Sequence, residues 1–311
     1  MPTSVPTTET GFAGLSRPPA AVLESLLLIR RFEELLLSYF QAGKLNGTTH
    51  TCLGQEYIPV AIMPLLHDSD FVFSNHRGHG HYLARFDDPE GLLAEILGRE
   101  GAVCQGVGGS QHIRRDRYFS TGIQGESLPV AVGAALQLKR EGRGALAMPF
   151  IGDGTWGEGA VYEALNMAAL WRVPLVVVVE NNQIAQSTPR ALNMAGRIED
   201  RVRAFGVDYL RCTGHDIEHL RNRLAPVLAR VRESGTPVVI EFETERLGSH
   251  SKGDDTRDPA YVERLREQSW YAQYQSAFPE LFAAADAAVN QRLAAVAEKL
   301  EKSAPSRWTH Q

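Results

Sequence analysis

The chain has 311 residues, of which 43% are hydrophobic, and a formal net charge of −5 at pH 7; this fits one large domain with short appendages. The lack of a basic surplus argues against nucleic-acid binding, no apolar run is long enough to span a bilayer, and no secretory signal is visible. Cys52, Cys104 and Cys212 lack metal or redox spacing, so we expect a reduced, cytoplasmic setting.

The first part of the chain alternates helical patterns with a short strand. Residues 1–17 are rich in Thr, Pro, Ser and Gly, which is typical of a disordered lead-in. A leucine-rich stretch at 19–43 and an apolar stretch at 57–66 have helical spacing, and residues 70–74 read as a strand. We therefore expect the folded domain to occupy residues 18–260.

A histidine-rich stretch, NHRGHGH, occupies residues 75–81, directly after the predicted strand. Three closely spaced histidines could form a zinc site, although no cysteine accompanies them. The other interpretation is a polar rim around an anionic ligand, with Arg77 contacting phosphate oxygens and His76 beside it. The residues alone leave both interpretations open.

Two glycine-rich stretches follow. Residues 106–112 read GVGGSQH, and residues 122–129 read GIQGESLP before a helical pattern that continues to about residue 139. Glycines allow tight turns and a close approach of the backbone to a ligand. A ligand-binding role for the first stretch competes with an ordinary surface loop.

The most informative part of the chain is a strand, turn, helix, strand unit. The apolar run at 145–151 leads into GDG at 152–154, a helical pattern follows, and the β-branched run at 175–179 ends before NN at 181–182. A run that is apolar on both faces suits a buried strand of a parallel sheet. Because parallel strands bring their carboxyl ends to one edge, the polar residues after the two strands are expected to meet there.

Those polar residues predict a magnesium-bridged phosphate or diphosphate site. Asp153 and Asn182 offer two hard oxygens, and magnesium takes few protein ligands together with phosphate oxygens. Gly152 and Gly154 let the backbone approach closely, and the N-terminus of the following helix favours an anion. The alternative is a glycine turn with a capping Asp and an unrelated Asn pair.

The rest of the chain continues the alternation. The remaining predicted elements are a helix at 197–205, a strand at 207–210, a helix at 217–232, a strand at 237–243 and a helix at 280–302. Strands alternating with helices indicate an α/β fold, with a parallel sheet covered by helices on both faces. We expect residues 261–311 to form a C-terminal helical appendage.

The spacing of GDG and NN resembles the thiamine diphosphate signature. The longer string EGAVYEALNMAALWRVP, followed by VVENN, resembles the alpha subunit of the decarboxylase component of 2-oxo acid dehydrogenase complexes, a family with pyruvate, branched-chain and acetoin members. The resemblance runs from about residue 47 to 251. It implies a thiamine diphosphate-binding fold of the diphosphate-binding type, with thiamine diphosphate and Mg²⁺ as cofactors.

The resemblance also implies roles for individual residues. Magnesium ligands would be Asp153, Asn182 and the backbone carbonyl of Ile184, and His50 and His250 would be catalytic. The implied cofactor-binding residues are His76, Arg77, Gly122, Gln124, Gly152, Asp153, Gly154, Thr155, Asn182, Ile184 and His250. For His50 an ordinary loop histidine, and for the loop at 246–255 a solvated connector, are the competing interpretations.

The chain departs from the family at several of these positions. His76 stands where the family commonly has Tyr, Gln124 replaces an aliphatic residue, and Ile184 stands where Tyr is frequent. The change at Gln124, together with Glu126 and Ser127 in place of a small residue and Gln, puts the substrate in question more than the cofactor.

The family further implies a beta-type partner that carries a pyrimidine-binding domain and the Glu needed to activate the cofactor. Within this chain Glu56 and Glu126 are the nearest acidic alternatives, and neither is favoured. The acceptor would be a lipoyl-bearing transferase, and the donor a 2-oxo acid or a related ketone. A carboligase or ketol-transferase subunit, and a catalytically silent paralogue, are the competing functions.

Overall fold

The computed structural model describes residues 14–45, 47–251, 253 and 255–308. Most of the predicted lead-in, residues 1–13, therefore lies outside the described residues. Within them, no helix is long and apolar enough to cross a membrane. All three cysteines are free.

The described residues form twelve α-helices and nine β-strands, with short 3₁₀ turns at Met63–Leu65 and Asp153–Gly157. In chain order the elements are α1 (Ala20–Gln41), α2 (Tyr57–Ile62), β1 (Phe71–Ser74), α3 (His79–Phe86), α4 (Pro89–Leu97), β2 (Arg114–Arg115), β3 (Tyr118–Ser120), α5 (Ser127–Glu141), β4 (Ala147–Gly152), α6 (Gly159–Trp171), β5 (Val176–Asn181), β6 (Ile184–Ala185), β7 (Thr188–Pro189), α7 (Arg190–Asn193), α8 (Ile198–Ala204), β8 (Asp208–Cys212), α9 (Ile217–Ser234), β9 (Val238–Glu243), α10 (Pro259–Gln268), α11 (Trp270–Ala277) and α12 (Pro279–Glu301).

Seven strands form one sheet in the order β2-β3-β1-β4-β5-β9-β8. Every neighbouring pair is parallel except the short β2–β3 pair at one edge. The register places Val178 on β5 between Phe150 on β4 and Ile240 on β9. Strands β6 and β7 form a separate antiparallel hairpin just after β5. The predicted mostly parallel sheet is confirmed.

The sheet separates two apolar cores. In β5, Val176 and Val178 belong to the core under α1, α2, α9 and α12, whereas Val177 and Val179 belong to the core under α5, α6 and α8. All four valines are buried. This alternation explains the unbroken β-branched run, because a strand covered by helices on both faces has no polar side. The predicted α/β class with helices on both faces is confirmed.

Some predicted boundaries and elements differ from the structure. The helix expected directly after Gly154 begins only at Gly159, because residues 153–157 form the 3₁₀ turn. Helix α3 was not predicted, since its first turn reads as a histidine- and glycine-rich loop. Helices α4, α10 and α11 and the short strands β2 and β3 were also missed.

The C-terminal helices share a core with the first helix. Val289 and Leu293 of α12 are buried in the same cluster as the leucines of α1, and Trp270 of α11 is fully buried there. A separate appendage beginning at residue 261 stays a prediction, but its helices contribute to the core under the sheet.

A buried ion pair joins these helices to the loop before α2. The Glu56 carboxylate accepts hydrogen bonds from Arg30 Nε at 2.6 Å, from the Gly54 amide at 2.7 Å and from Trp270 Nε1 at 2.6 Å. The Arg30 guanidinium also lies over the Trp270 ring, 5.1 Å from its centroid. Glu56 thus connects α1, the loop at residue 54 and α11.

Glu56→Gln should lower the free energy of unfolding by roughly 3–5 kcal/mol, because it leaves the buried Arg30 charge without its partner. The control is Glu34→Gln, which breaks the half-exposed Arg31–Glu34 pair and should cost less than about 1 kcal/mol. Denaturant unfolding of both variants measures the difference, and equal losses would contradict the assignment.

Candidate active site

A cavity of about 380 Å³ opens at the carboxyl edge of the sheet. It is built from the segments that follow β1, β3, β4, β5 and β9, as expected for the ligand edge of an open α/β sheet. All twelve residues predicted as site residues line it: His50, His76, Arg77, Gly122, Gln124, Gly152, Asp153, Gly154, Thr155, Asn182, Ile184 and His250. The structure therefore brings them together, while their individual roles stay predictions.

Asp153 is a buried carboxylate at the end of β4. Its Oδ2 has no hydrogen-bond partner among the described residues. Burial raises the pKa of Asp153 to about 6, although hydrogen bonds from its own amide and that of Asn182 act in the opposite direction. A buried oxygen without a partner beside a cavity fits a bound cation, which would offset this cost.

Asn182 and Ile184 are held next to Asp153 by the short hairpin after β5. The Asn182 side chain donates to Gln55 Oε1 at 3.2 Å and accepts from the Ile184 amide at 3.2 Å. A Cβ on Gly154 would lie only 2.6 Å from the Cβ of Ala185. Glycine at 154 is therefore required for the hairpin to pack against the Asp153 turn, and this packing brings the predicted magnesium ligands to one wall.

Arg77 lies on another wall of the cavity and is 4% exposed. Its guanidinium donates to the Thr51 carbonyl at 2.6 Å and to the His250 carbonyl at 3.2 Å, with His250 Nδ1 also at 3.2 Å. Burial, and then repulsion from Arg246, lower the pKa of Arg77 to about 10. A buried guanidinium that hydrogen-bonds to neutral groups fits an anionic ligand.

Three histidine rings from separate segments meet at this wall. The His50 ring lies 4.9 Å from His76 and 4.7 Å from His250, and His76 lies 5.7 Å from His250. Gln111 Nε2 lies 3.0 Å from His50 Nδ1 and orients that ring. The arrangement can present imidazole groups to a ligand in the cavity, in keeping with the predicted roles of His50 and His250.

Beneath Arg77 lies a buried polar network that sequence reasoning missed. Glu180 accepts from Asn75 Nδ2 at 2.7 Å and lies 3.1 Å from His81 Nε2. Although burial raises the pKa of Glu180, attraction to His81 and these hydrogen bonds outweigh burial and lower it. Asn75 Oδ1 in turn accepts from the Arg77 amide at 2.8 Å. The signal was present, because polar residues at the ends of apolar strands are expected at a ligand edge.

The zinc interpretation of the histidine run is wrong. His79 Nδ1 faces the Glu33 carboxylate at 3.1 Å and His81 Nδ1 faces Ser74 Oγ at 2.7 Å, whereas His76 lines the cavity. Among the described residues, no group of three or more His, Cys, Asp or Glu side chains can hold a metal ion. The rim around an anionic ligand is the interpretation that survives.

The acidic alternatives to a partner's Glu do not line the cavity. Glu126 is paired with the Thr121 hydroxyl and does not line the cavity, and Glu56 is occupied by Arg30 and Trp270. Four lining residues were not predicted: Glu158, Ala185, Gln186 and Arg246. Arg246 could have been found, since it opens the polar loop that carries His250.

Comparisons with known proteins agree with this geometry. The profile of the family described as "Dehydrogenase E1 component" matches residues 24–303. The alpha subunit of acetoin:2,6-dichlorophenolindophenol oxidoreductase of Cupriavidus necator is 37% identical over 237 residues, covering 75% of this chain and 71% of the relative. The corresponding subunit of Bacillus subtilis is 35% identical over 253 residues, covering 79% and 76%. The pyruvate dehydrogenase E1 component subunit alpha of Rickettsia prowazekii is 33% identical over 251 residues, covering 79% and 77%. The chain therefore belongs to the dehydrogenase E1 component family.

Proposed function

We propose that the chain is the alpha subunit of a thiamine diphosphate- and magnesium-dependent enzyme that decarboxylates a 2-oxo acid and passes the acyl unit to a lipoyl acceptor. The observation that carries this proposal is one cavity with a buried carboxylate, Asp153, and a buried guanidinium, Arg77, and among the described residues neither is hydrogen-bonded to an opposite charge. A metal-bound diphosphate offers a cation to Asp153 and anionic oxygens to Arg77.

Each group has a physical role in this proposal. Asp153, Asn182 and the Ile184 carbonyl would hold magnesium, and Arg77 would bind phosphate oxygens with charge-assisted hydrogen bonds. Thiamine diphosphate, when bound, supplies the carbon nucleophile that makes loss of carbon dioxide possible. His50 and His250 lie beside Arg77 and would move protons or stabilise charge near the substrate.

A related donor is a second candidate. The two acetoin oxidoreductase relatives are 37% and 35% identical to this chain, and the pyruvate dehydrogenase relative is 33% identical. We therefore also propose a hydroxyketone of the acetoin type as the molecule that is cleaved. Assaying the complete enzyme with pyruvate and with acetoin, each with an artificial electron acceptor, separates the two donors.

A partner chain is part of the proposal, since all three relatives are named alpha subunits. Beside the cavity lies a second cavity of about 590 Å³, whose lining includes an apolar patch that consists of Phe71, Phe73, Phe119 and Val130. Val130 is 58% exposed. Thr121, which lines the second cavity, is followed directly by Gly122 of the active-site cavity. We propose that a beta-type chain covers this patch and brings its pyrimidine-binding domain and Glu to the site.

Asp153→Asn should weaken magnesium-dependent binding of thiamine diphosphate by more than roughly 100-fold, because even changes outside the ligand shell of a metal site cost 10–100-fold. In the unchanged protein, binding should weaken as the pH falls through about 6, where Asp153 takes up a proton. Calorimetry measures both, with the exposed Asp68→Asn as control. Undiminished magnesium-dependent binding would remove Asp153 from the site.

The same variant should stabilise the metal-free chain. Burial raises the Asp153 pKa above its value in the unfolded chain, so the charged form costs folding free energy at pH values above the folded pKa. Asp153→Asn should therefore gain roughly 1–3 kcal/mol of stability at pH 8. The gain should vanish below the unfolded pKa, where both states carry a neutral carboxyl. A loss of stability at pH 8 would contradict this explanation.

His250→Ala should lower turnover by roughly 10²–10⁴, which is typical of a lost acid–base group, with little change in cofactor affinity. The Arg77 contact to the His250 carbonyl survives the substitution, because it is made to the backbone. The exposed His219→Ala on α9 is the control. Near-normal turnover at saturating substrate would identify the loop as a connector.

The purified chain should be inactive alone and active with its beta-type partner, as a heterotetramer of two alpha and two beta chains. Val130→Glu should weaken that association at least tenfold, because it places a charge in an apolar contact. Tyr261→Glu, on the exposed surface of α10, is the control. Analytical ultracentrifugation and turnover measure both, and full turnover by the isolated chain would overturn the prediction.

A further inference from the structure

Gln124 and His76 form a polar pair inside the cavity that the proposed roles do not yet explain. Gln124 Nε2 lies 2.8 Å from His76 Nδ1, and both residues line the cavity wall. Thr155 Oγ1 lies 3.5 Å from Gln124 Oε1 and can donate to it, while the amide nitrogen of Gln124 faces His76. The side-chain amide therefore faces His76 with a donor.

A hydrogen-bond donor that faces Nδ1 of His76 determines which ring nitrogen carries the proton. A neutral imidazole has one N–H and one acceptor nitrogen, so an Nδ1 that accepts from Gln124 leaves the proton on Nε2. Nε2 makes no hydrogen bond to the described residues. Because the ring lines the cavity, its Nε2–H is the group that a bound ligand can meet.

The surroundings of His76 keep it uncharged. Burial holds the pKa of His76 well below its ordinary value, and the charges of Arg77, His50, His250 and Arg246 act in the same direction. A neutral donor beside the Arg77 guanidinium adds a hydrogen bond for an anion without adding a second positive charge to a crowded wall.

We propose that Gln124 fixes His76 as a neutral imidazole whose Nε2–H donates to an anionic oxygen of the ligand in the cavity. This inference rests on the proposed function, which supplies two sources of such an oxygen: the diphosphate of the cofactor and the carboxylate of the 2-oxo acid. Gln124 is then a positioning residue that acts through His76, and the two sources are separated by the measurements below.

The decisive variant is Gln124→Glu, studied in the complete alpha–beta assembly. A carboxylate can only accept from Nδ1, so the neutral His76 must carry its proton on Nδ1 and loses the Nε2–H donor. The donor survives only in the imidazolium form, whose pKa the new carboxylate raises. Ligand affinity relative to the unchanged assembly should therefore fall by roughly tenfold to a hundredfold between pH 6 and pH 8.5, the range expected for one hydrogen bond to a charged group.

Two measurements identify which oxygen is bound. Calorimetry gives the Kd of thiamine diphosphate at fixed magnesium, and steady-state kinetics give the KM and kcat of pyruvate. If only the Kd of thiamine diphosphate rises with pH, the bound oxygen belongs to the diphosphate. If only the KM of pyruvate rises, it belongs to the carboxylate of the 2-oxo acid. Gln137→Glu, the same chemical change on the exposed side of α5, should follow the unchanged assembly at every pH.

Variants at His76 test the donor directly. His76→Phe should raise the same constant, Kd or KM, by roughly tenfold to a hundredfold at all pH values. His76→Gln keeps a donor near the Nε2 position, so its constant should stay within a few-fold of that of the unchanged assembly. Thermal unfolding shows whether each variant is folded. A Gln124→Glu assembly whose Kd and KM both track the unchanged assembly would overturn the inference. Failure of the unchanged assembly to bind thiamine diphosphate would instead overturn the proposed function.

Discussion

Two buried charges at the carboxyl edge of the sheet, Asp153 and Arg77, are the constraint on which the rest of the structure depends. The cost of burying them is visible in the pKa of Asp153, raised to about 6, and in that of Arg77, lowered to about 10. A chain could avoid this cost by pairing the two charges, but they line the cavity without a mutual hydrogen bond. The fold instead holds them apart, so that a ligand with both a cation and an anion can complete the pairing.

Keeping the Asp153 carboxylate and the Arg77 guanidinium apart requires rigid support for both residues. The parallel sheet with an apolar core on each face fixes the strand ends from which both residues extend. Glu180, directly before the Asn pair, could neutralise Arg77, yet its two oxygens face His81 and Asn75. Asn75 connects Glu180 to Arg77, because its side-chain oxygen accepts a hydrogen bond from the backbone N–H of Arg77. The negative charge of Glu180 thus lowers the cost of burying Arg77 while its guanidinium stays available to a ligand.

The sequence was informative where local chemistry decides the structure. The β-branched run of β5 and the GDG turn predicted two neighbouring parallel strands, and the polar residues at their ends do line one cavity. Helix α3 escaped prediction because its first turn is held by distant partners: His79 meets Glu33 of α1, and His81 meets Glu180 of β5. Local propensity carries no information on such contacts.

The chemical groups that line the cavity also indicate which functions this chain can supply and which it would need from a partner. Of the described lining residues, Asp153 and Glu158 are the carboxylates. A magnesium ion would occupy Asp153, and Glu158 lies at the N-terminus of α6 with its side chain near Gly125 rather than among the three histidines. The other polar side chains that line the cavity are amides, imidazoles, guanidiniums and the Thr155 hydroxyl, which can bind and orient anions. Under the proposed function, this chain would supply binding and charge stabilisation, and the carboxylic acid that donates to the cofactor would come from the proposed beta-type partner.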